Sequence, residues 1–173
     1  MEFLNILARS RNKLRNFEVP ELQDPAKWKS LETLLLRPWW TRVWTLQEFI
    51  IAPKLTFYCG SKSIERNRFR AAIHSLWFCR ETNNPLIKQE AFYPTWNRRR
   101  LIQWYEDGKG SSNRIGSIAL MAYMGDCQAT DDRDRIYSLL ELAKDRELVG
   151  RPDYEPSVEN ISRLVQTHPT PIG

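Results

Sequence analysis

At 173 residues, with 42% hydrophobic and 12% aromatic content, the chain is long enough for one domain with a real core and is not a disordered tail. Its 26 basic residues are interleaved with 21 acidic ones, so the net charge of +5 permits only mild attraction to nucleic acid or an acidic membrane. Three cysteines without CxxC spacing (Cys59, Cys79, Cys127), two histidines, no signal peptide and no apolar run near ~18 residues point to free thiols in the cytoplasm, and argue against zinc or a membrane span.

In chain order, Phe3, Leu4, Ile6, Leu7, Leu14 and Phe17 recur at helical spacing between Arg9, Arg11, Lys13 and Arg15, which predicts an amphipathic helix over 2–16 with a solvated basic face. Asp24 followed by Pro25 is a cap and first-turn signal for a second helix with a Trp28, Leu31, Leu34, Leu35 stripe. The stretch Arg37 to Ala52 then reads as a short buried helix feeding straight into a strand, bounded by Pro38 and Pro53. At about 100° per residue, Trp39, Val43, Leu46 and Ile50 share an apolar arc that Trp40, Trp44 and Ile51 widen.

Two polar residues disturb that arc. Gln47 lies inside it; Glu48 lies at its edge, one turn after Trp44 and beside Thr41. A carboxylate at the rim of an aromatic wall is desolvated on one side, which suits it to proton transfer or to gripping a hydroxylated ligand. The plainer reading pairs Glu48 with a nearby arginine and Gln47 with neighbouring backbone.

Lys54 to Cys59 is a β-branched and aromatic run closed by Gly60-Ser61, which fits a strand, and Ser63-Ile64 can return beside it. A helix carrying Phe69, Ala72, Ile73, Leu76 and Trp77 follows, with an isolated His74 that reads as satisfied or exposed. Thr82 to Pro85 opens a loop expected to last to about Tyr93, and Pro94 to Asp107 reads as the next helix. Within it Arg98, Arg99 and Arg100 sit among aromatics that could stack on bases, the pattern of a weak nucleic-acid-binding helix. Successive side chains fan about 100° apart, however, so a solvated face is favoured. Asp107 to Asn113 is a glycine-serine linker lacking the ending of a phosphate loop.

Ile115 to Met124 predicts a short apolar helix. After it, Thr130 or Asp131 can cap a helix whose stripe is Ile136, Leu139, Leu140 and Ala143, with Asp131, Asp132 and Asp134 at its positive end. Arg133 and Arg135 can bridge back to carboxylates elsewhere, Glu48 among them; structural roles for these charges are favoured. Arg151 to Tyr154 looks extended, Val158, Ile161, Leu164 and Val165 suggest a last helix, and residues 167–173 a frayed tail.

Leu35 to Glu48 with Cys59-Gly60 resembles the central block of the fungal heterokaryon-incompatibility domain. Cys127 to Leu140 resembles that family's C-terminal signature, and Pro152-Asp153-Tyr154 with Ser157-Val158 its "PDY…SV" segment. The motif positions are Arg37, Pro38, Trp39, Arg42, Cys59, Gly60, Asp131, Arg133, Asp134, Arg135, Tyr137, Asp153 and Tyr154. The resemblance spans roughly Leu31 to Ser162 and covers the second half of the domain. The opening "WIDA…CINQ" region has no counterpart here, so a truncated domain over 1–166 or a partial gene model is expected.

That resemblance implies a cytoplasmic role in fungal non-self recognition and programmed cell death, acting through a protein partner or self-association. It implies a mainly α fold with one or two short strands left from an α/β parent of TIR-like, flavodoxin-like kind. Heterokaryon-incompatibility domains are in turn similar to TIR domains, some of which cleave NAD with a glutamate in a Trp-x-x-x-Glu helix, and Trp44 and Glu48 have that spacing. On this reading NAD is a substrate, not a bound cofactor: Glu48 engages the ribose, Trp44 walls the pocket with Thr41 and Gln47 nearby, and the fragment alone has no turnover. No metal is expected.

Overall fold

The structure, a computed structural model, describes residues 1–10, 20–80, 87–108, 116–124, 127–148, 151–155 and 159–160. Among these the chain is mainly helical: α1 Glu2–Arg9, α2 Pro25–Leu35, α3 Thr45–Ile51, then β1 Thr56–Cys59 and β2 Lys62–Glu65, then α4 Arg66–Arg80, α5 Gln89–Asp107, α6 Ser117–Met124 and α7 Asp134–Tyr137. The strands form one antiparallel hairpin in which Phe57 faces Ile64 and Cys59 faces Lys62, and Gly60 makes the turn at φ 60°, a conformation that costs a residue without Cβ little. The expected mainly α fold with a short hairpin is what forms. The features expected over 11–16, 82–85 and 109–113, most of the last helix and the 167–173 tail fall outside the described residues.

The chain divides into two compact units, one of Met1–Trp40 with Pro53–Arg99 and one of Thr41–Ala52 with Arg100–Gly173. In the first, α1 packs on α4, with Leu4 and Leu7 of α1 and Phe69, Ala72 and Ile73 of α4 all buried, while Phe3 meets Trp28 of α2 edge-on at 4.9 Å. The Asp24 carboxylate accepts from the Ala26 N–H at 2.9 Å and Pro25 opens α2, as the local signals predict. Trp40 stacks on Phe69 with ring centroids 5.0 Å apart, and its indole N–H donates to the Leu34 carbonyl at 2.9 Å. A large ring buried with its one polar atom satisfied keeps its full packing gain.

The stretch 37–52 departs from the single helix read in the sequence. Pro38–Trp40 is a 3-10 turn, and α3 begins only at Thr45. Between them the backbone is claimed by a distant partner: the Val43 N–H donates to the Gln128 carbonyl at 3.0 Å, and the Gln128 N–H to the Thr41 carbonyl at 2.6 Å. Those groups are then unavailable to helical i, i+4 bonds. The Thr45 hydroxyl, donating to the Arg42 carbonyl at 2.6 Å, restarts the helix. Trp39 and Trp40 therefore belong to the first unit, whereas Val43, Leu46 and Ile50 are buried in the second. The far boundary holds, since α3 stops at Ile51 with Ala52 in an extended conformation before Pro53.

A second departure concerns α5, which starts at Gln89 and carries Pro94 inside it, where a loop to Tyr93 was expected. Ala91, Phe92 and Thr95 are fully buried and Phe92 packs on Trp96 at 5.6 Å, so burial in the first turns outweighs the one backbone hydrogen bond that Pro94 removes. In the second unit α7 is a single turn. The stripe Ile136, Leu139, Leu140 and Ala143 is nevertheless buried as predicted, although hydrogen-bonded turns carry its later half.

Candidate functional site

Trp44 and Gln47 are three residues apart, so at α3 they share a face. Trp44 is half-buried against the cluster of Ile136, Tyr137 and Leu140, on which Met121 also packs. With Gln47, Tyr137 and Leu140 it lines a groove of about 630 Å³ in the second unit, closed along its edges by Glu141, Arg146, Glu147, Arg151 and Pro152. The floor is aromatic and apolar; the rim is charged, with Arg146 paired to Glu141 at 3.2 Å. That size and lining lie within the range of small-ligand and peptide sites. Residues from all three motif segments thus meet at one surface: Trp44 and Gln47, Tyr137 and Leu140, and Pro152.

The segment Arg151 to Glu155 has no regular secondary structure and is exposed throughout. Tyr137, itself buried, holds it from beneath: its hydroxyl donates to the Asp153 carbonyl and accepts from the Asp153 N–H at 3.1 Å. From the outer side the Tyr154 hydroxyl donates to the Asp134 carboxylate at 2.7 Å, and Arg133 donates to the Tyr154 carbonyl while its guanidinium lies 5.2 Å from the Tyr154 ring centre. The bond to Asp134, reinforced by partial desolvation and that carboxylate's charge, pushes the Tyr154 hydroxyl up to about 12.

Arg133 is the hub of this edge. It bonds both carboxylate oxygens of Asp131, the closest at 2.7 Å, and the Asp131 carboxylate also accepts the Arg133 backbone N–H at 3.0 Å. Arg133's side-chain bond holds Asp131 below the ordinary carboxylate range, and the same bond raises Arg133. Asp131 therefore shapes the turn entering α7, while the N-cap position itself is Arg133 without a side-chain cap. Arg135 pairs with Asp132 at 3.4 Å. The two arginines are thus taken by carboxylates within three residues, in place of the bridge to Glu48 that the sequence allowed.

Glu48 turns about 100° beyond Gln47. It is exposed and does not line the groove, and neither does Thr41.

The remaining residues of the first block have structural surroundings. Exposed Arg37 donates to the half-buried Cys59 thiol at 3.6 Å, Pro38 opens the 3-10 turn, Trp39 meets Trp40 and Phe57 edge-on at 4.7 and 5.5 Å, and exposed Arg42 pairs through its backbone with Gln128. His74 lies parallel to the Trp96 ring at 6.4 Å, and among the described residues no cluster of three His, Cys, Asp or Glu could hold a metal ion.

Arg98 to Arg100 are not the solvated fan expected. Arg98 is 1% exposed, donates to the Pro94 carbonyl at 3.2 Å and lies 5.9 Å from the Trp39 ring centre. Arg99 covers Trp96 at 5.0 Å; Arg100 covers Trp104 and Tyr123, each at 5.0 Å, and donates to the Tyr123 hydroxyl at 3.1 Å. Arginine's weakly hydrated planar head stacks where lysine would stay in water. The rings of Trp96 and Trp104, which the sequence offered for stacking on bases, and that of Tyr123 carry the chain's own cations.

Sequence reasoning missed Glu141, Arg146 and Glu147 of the groove rim, where no motif signals them. It also missed Asp145, whose carboxylate accepts the Ser117 N–H at 2.8 Å and hydroxyl at 2.6 Å, all buried, at the start of α6. Among the described residues no helix is long and apolar enough to cross a membrane.

Over 148 aligned residues the chain is 27% identical to Heterokaryon incompatibility protein 6, OR allele, of Neurospora crassa. The match covers 76% of this chain but 21% of that protein, so the chain spans about a fifth of its relative's length. No family model matches the chain, and no solved structure matches it.

Proposed function

We propose that the chain is part of a heterokaryon-incompatibility domain and acts in the cytoplasm in fungal non-self recognition and programmed cell death signalling, through a protein partner or self-association. Similarity to the Neurospora protein supports the family. The observation that carries the binding role is the convergence of Trp44, Gln47, Tyr137, Leu140 and Pro152 on one groove with a charged rim. An aromatic floor with mixed charge around it is suited to a protein segment, with anchors in the centre and steering charges outside. The test is conditional expression of the gene encoding this chain in fungal hyphae, with dye uptake as the readout. Reversing the exposed rim with Arg146→Glu and Arg151→Glu is expected to cut killing at least about tenfold, the scale of losing two rim contacts, at equal protein level. Killing that is indifferent to the rim would overturn the reading.

A NAD-cleaving role through Glu48 is placed second, because Glu48 is exposed and the groove is lined without it. Glu48→Gln is expected to leave killing and cellular NAD unchanged. Purified residues 1–173 are expected to release no nicotinamide from NAD, and release abolished by Glu48→Gln would reverse the order of the two readings.

A further inference from the structure

Arg151 to Glu155 is unusual in how it is attached. All five residues are exposed, so the segment buries little apolar surface, and among the described residues polar contacts tie it to α7 and the turn before it. Tyr137 grips the Asp153 peptide from below at both its N–H and its carbonyl. Tyr154 is tied to Asp134 and Arg133 from outside, and the two tyrosine rings meet edge to face at 5.2 Å. The Asp153 carboxylate in turn accepts the Glu155 N–H at 2.9 Å, which stiffens the tip.

The same segment supplies Arg151 and Pro152 to the groove wall, and Tyr137 lines the groove as well. One hydroxyl therefore sits at the junction of wall and floor, and the segment's own backbone occupies it. A segment fastened by a few polar bonds and little apolar burial opens locally well before its unit unfolds.

We propose that Arg151 to Glu155 is a releasable strap, latched by Tyr137 and by Tyr154 on Asp134, that forms one side of the Trp44–Tyr137 groove and narrows it until the strap is displaced. Opening removes Arg151 and Pro152 from the wall and frees the Tyr137 hydroxyl, so the strap sets the width of the groove and the access to Gln47. The inference stands on this geometry and not on the cell-death role.

Hydrogen exchange on the full 173-residue chain tests it. Tyr137→Phe removes two latch bonds and Tyr154→Phe one, both keeping the ring, and each is expected to speed exchange of the Asp153 and Glu155 amides at least about tenfold, with the Leu139 and Ala143 amides unchanged. If the buried Tyr137 variant fails to fold, the surface Tyr154 variant carries the test alone. The groove is read separately: Gln47→Cys, followed by mass spectrometry of its own peptide, is expected to react with iodoacetamide several-fold faster when combined with Tyr154→Phe. Equal exchange at the strap in latched and unlatched chains, acceleration shared equally by Leu139 and Ala143, or a labelling rate at position 47 unmoved by Tyr154→Phe would each overturn the proposal.

Discussion

Asp145→Ala should be among the more damaging changes in the second unit. Asp145 is 9% exposed and Ser117 2%, and one carboxylate oxygen accepts both the N–H and the hydroxyl of Ser117. Truncation leaves two buried donors without that acceptor, and each costs roughly 1–3 kcal/mol if nothing replaces it. The hydroxyl can rotate toward another acceptor but the backbone N–H of the first residue of α6 cannot, so the net loss should be about 2–4 kcal/mol. Asp145→Asn retains an acceptor oxygen and loses only the charge assistance, about 1 kcal/mol. In a urea titration followed by circular dichroism, with a slope of about 2 kcal/mol/M, Asp145→Ala should lower the midpoint by about 1–2 M and Asp145→Asn by about 0.5 M. Exchange at the Leu120 amide identifies the affected helix. Because Arg146 and Glu147 of the groove rim follow directly in sequence, the same variant should loosen the rim. A loss below about 0.5 kcal/mol, or equal losses for Ala and Asn, would show that water replaces the carboxylate and that the cap is not structural.

Trp40→Ala should cost the first unit about 3–5 kcal/mol, the range for a buried large aromatic, because the stack on Phe69 and the bond to Leu34 are lost together; thermal melting with exchange at the Ile73 amide reads it. The Tyr154 hydroxyl is raised from 10.0 to about 12 by Asp134, so the stability it contributes is whole below its unfolded value and disappears between pH 10 and 12. Tyr154→Phe should therefore flatten the strap's alkaline opening in that window, while Asp131, Arg133 and Tyr137, which face the same ring system, remain. Glu32, buried and held low chiefly by its bond from Lys29 and also by the Lys88 N–H, behaves in the opposite sense: its contribution is present above the ordinary carboxylate range and lost as pH falls through the lowered value. Glu32→Gln should make the acid unfolding of the first unit less steep, and an unchanged acid limb would sink that assignment.

Local signals were legible wherever the deciding contact is local. Asp24-Pro25 opens a helix, Pro53 closes one, Gly60 turns a hairpin, and Ile136, Leu139, Leu140 and Ala143 fall on one buried side, because each depends on residues within four positions. The stretch 37–52 failed for the complementary reason: apolar periodicity there fits a helix, but Thr41 and Val43 bond to Gln128, a partner far along the chain that no local window contains. At the groove, Trp44 and Gln47 could be named in advance, whereas the rim depends on turns after α7 that carry no motif.

For Arg98 to Arg100 and for Glu48, spacing names the neighbouring rings but leaves open which side chains cover them. Trp96 lies three residues before Arg99 and Trp104 four after Arg100, spacings that place ring and guanidinium together on a helix, so the stacking was in reach of the same periodicity used for the core. With those rings covered, a nucleic-acid surface on α5 would first have to displace the chain's own cations from Trp96, Trp104 and Tyr123. Glu48 is the mirror case: its spacing from Trp44 suggested chemistry, yet the helix phase that takes Gln47 into the groove carries the next side chain out of it. A spacing motif acquires meaning only once the start of its helix is known, and here that start is decided by Gln128 and by the Thr45 hydroxyl.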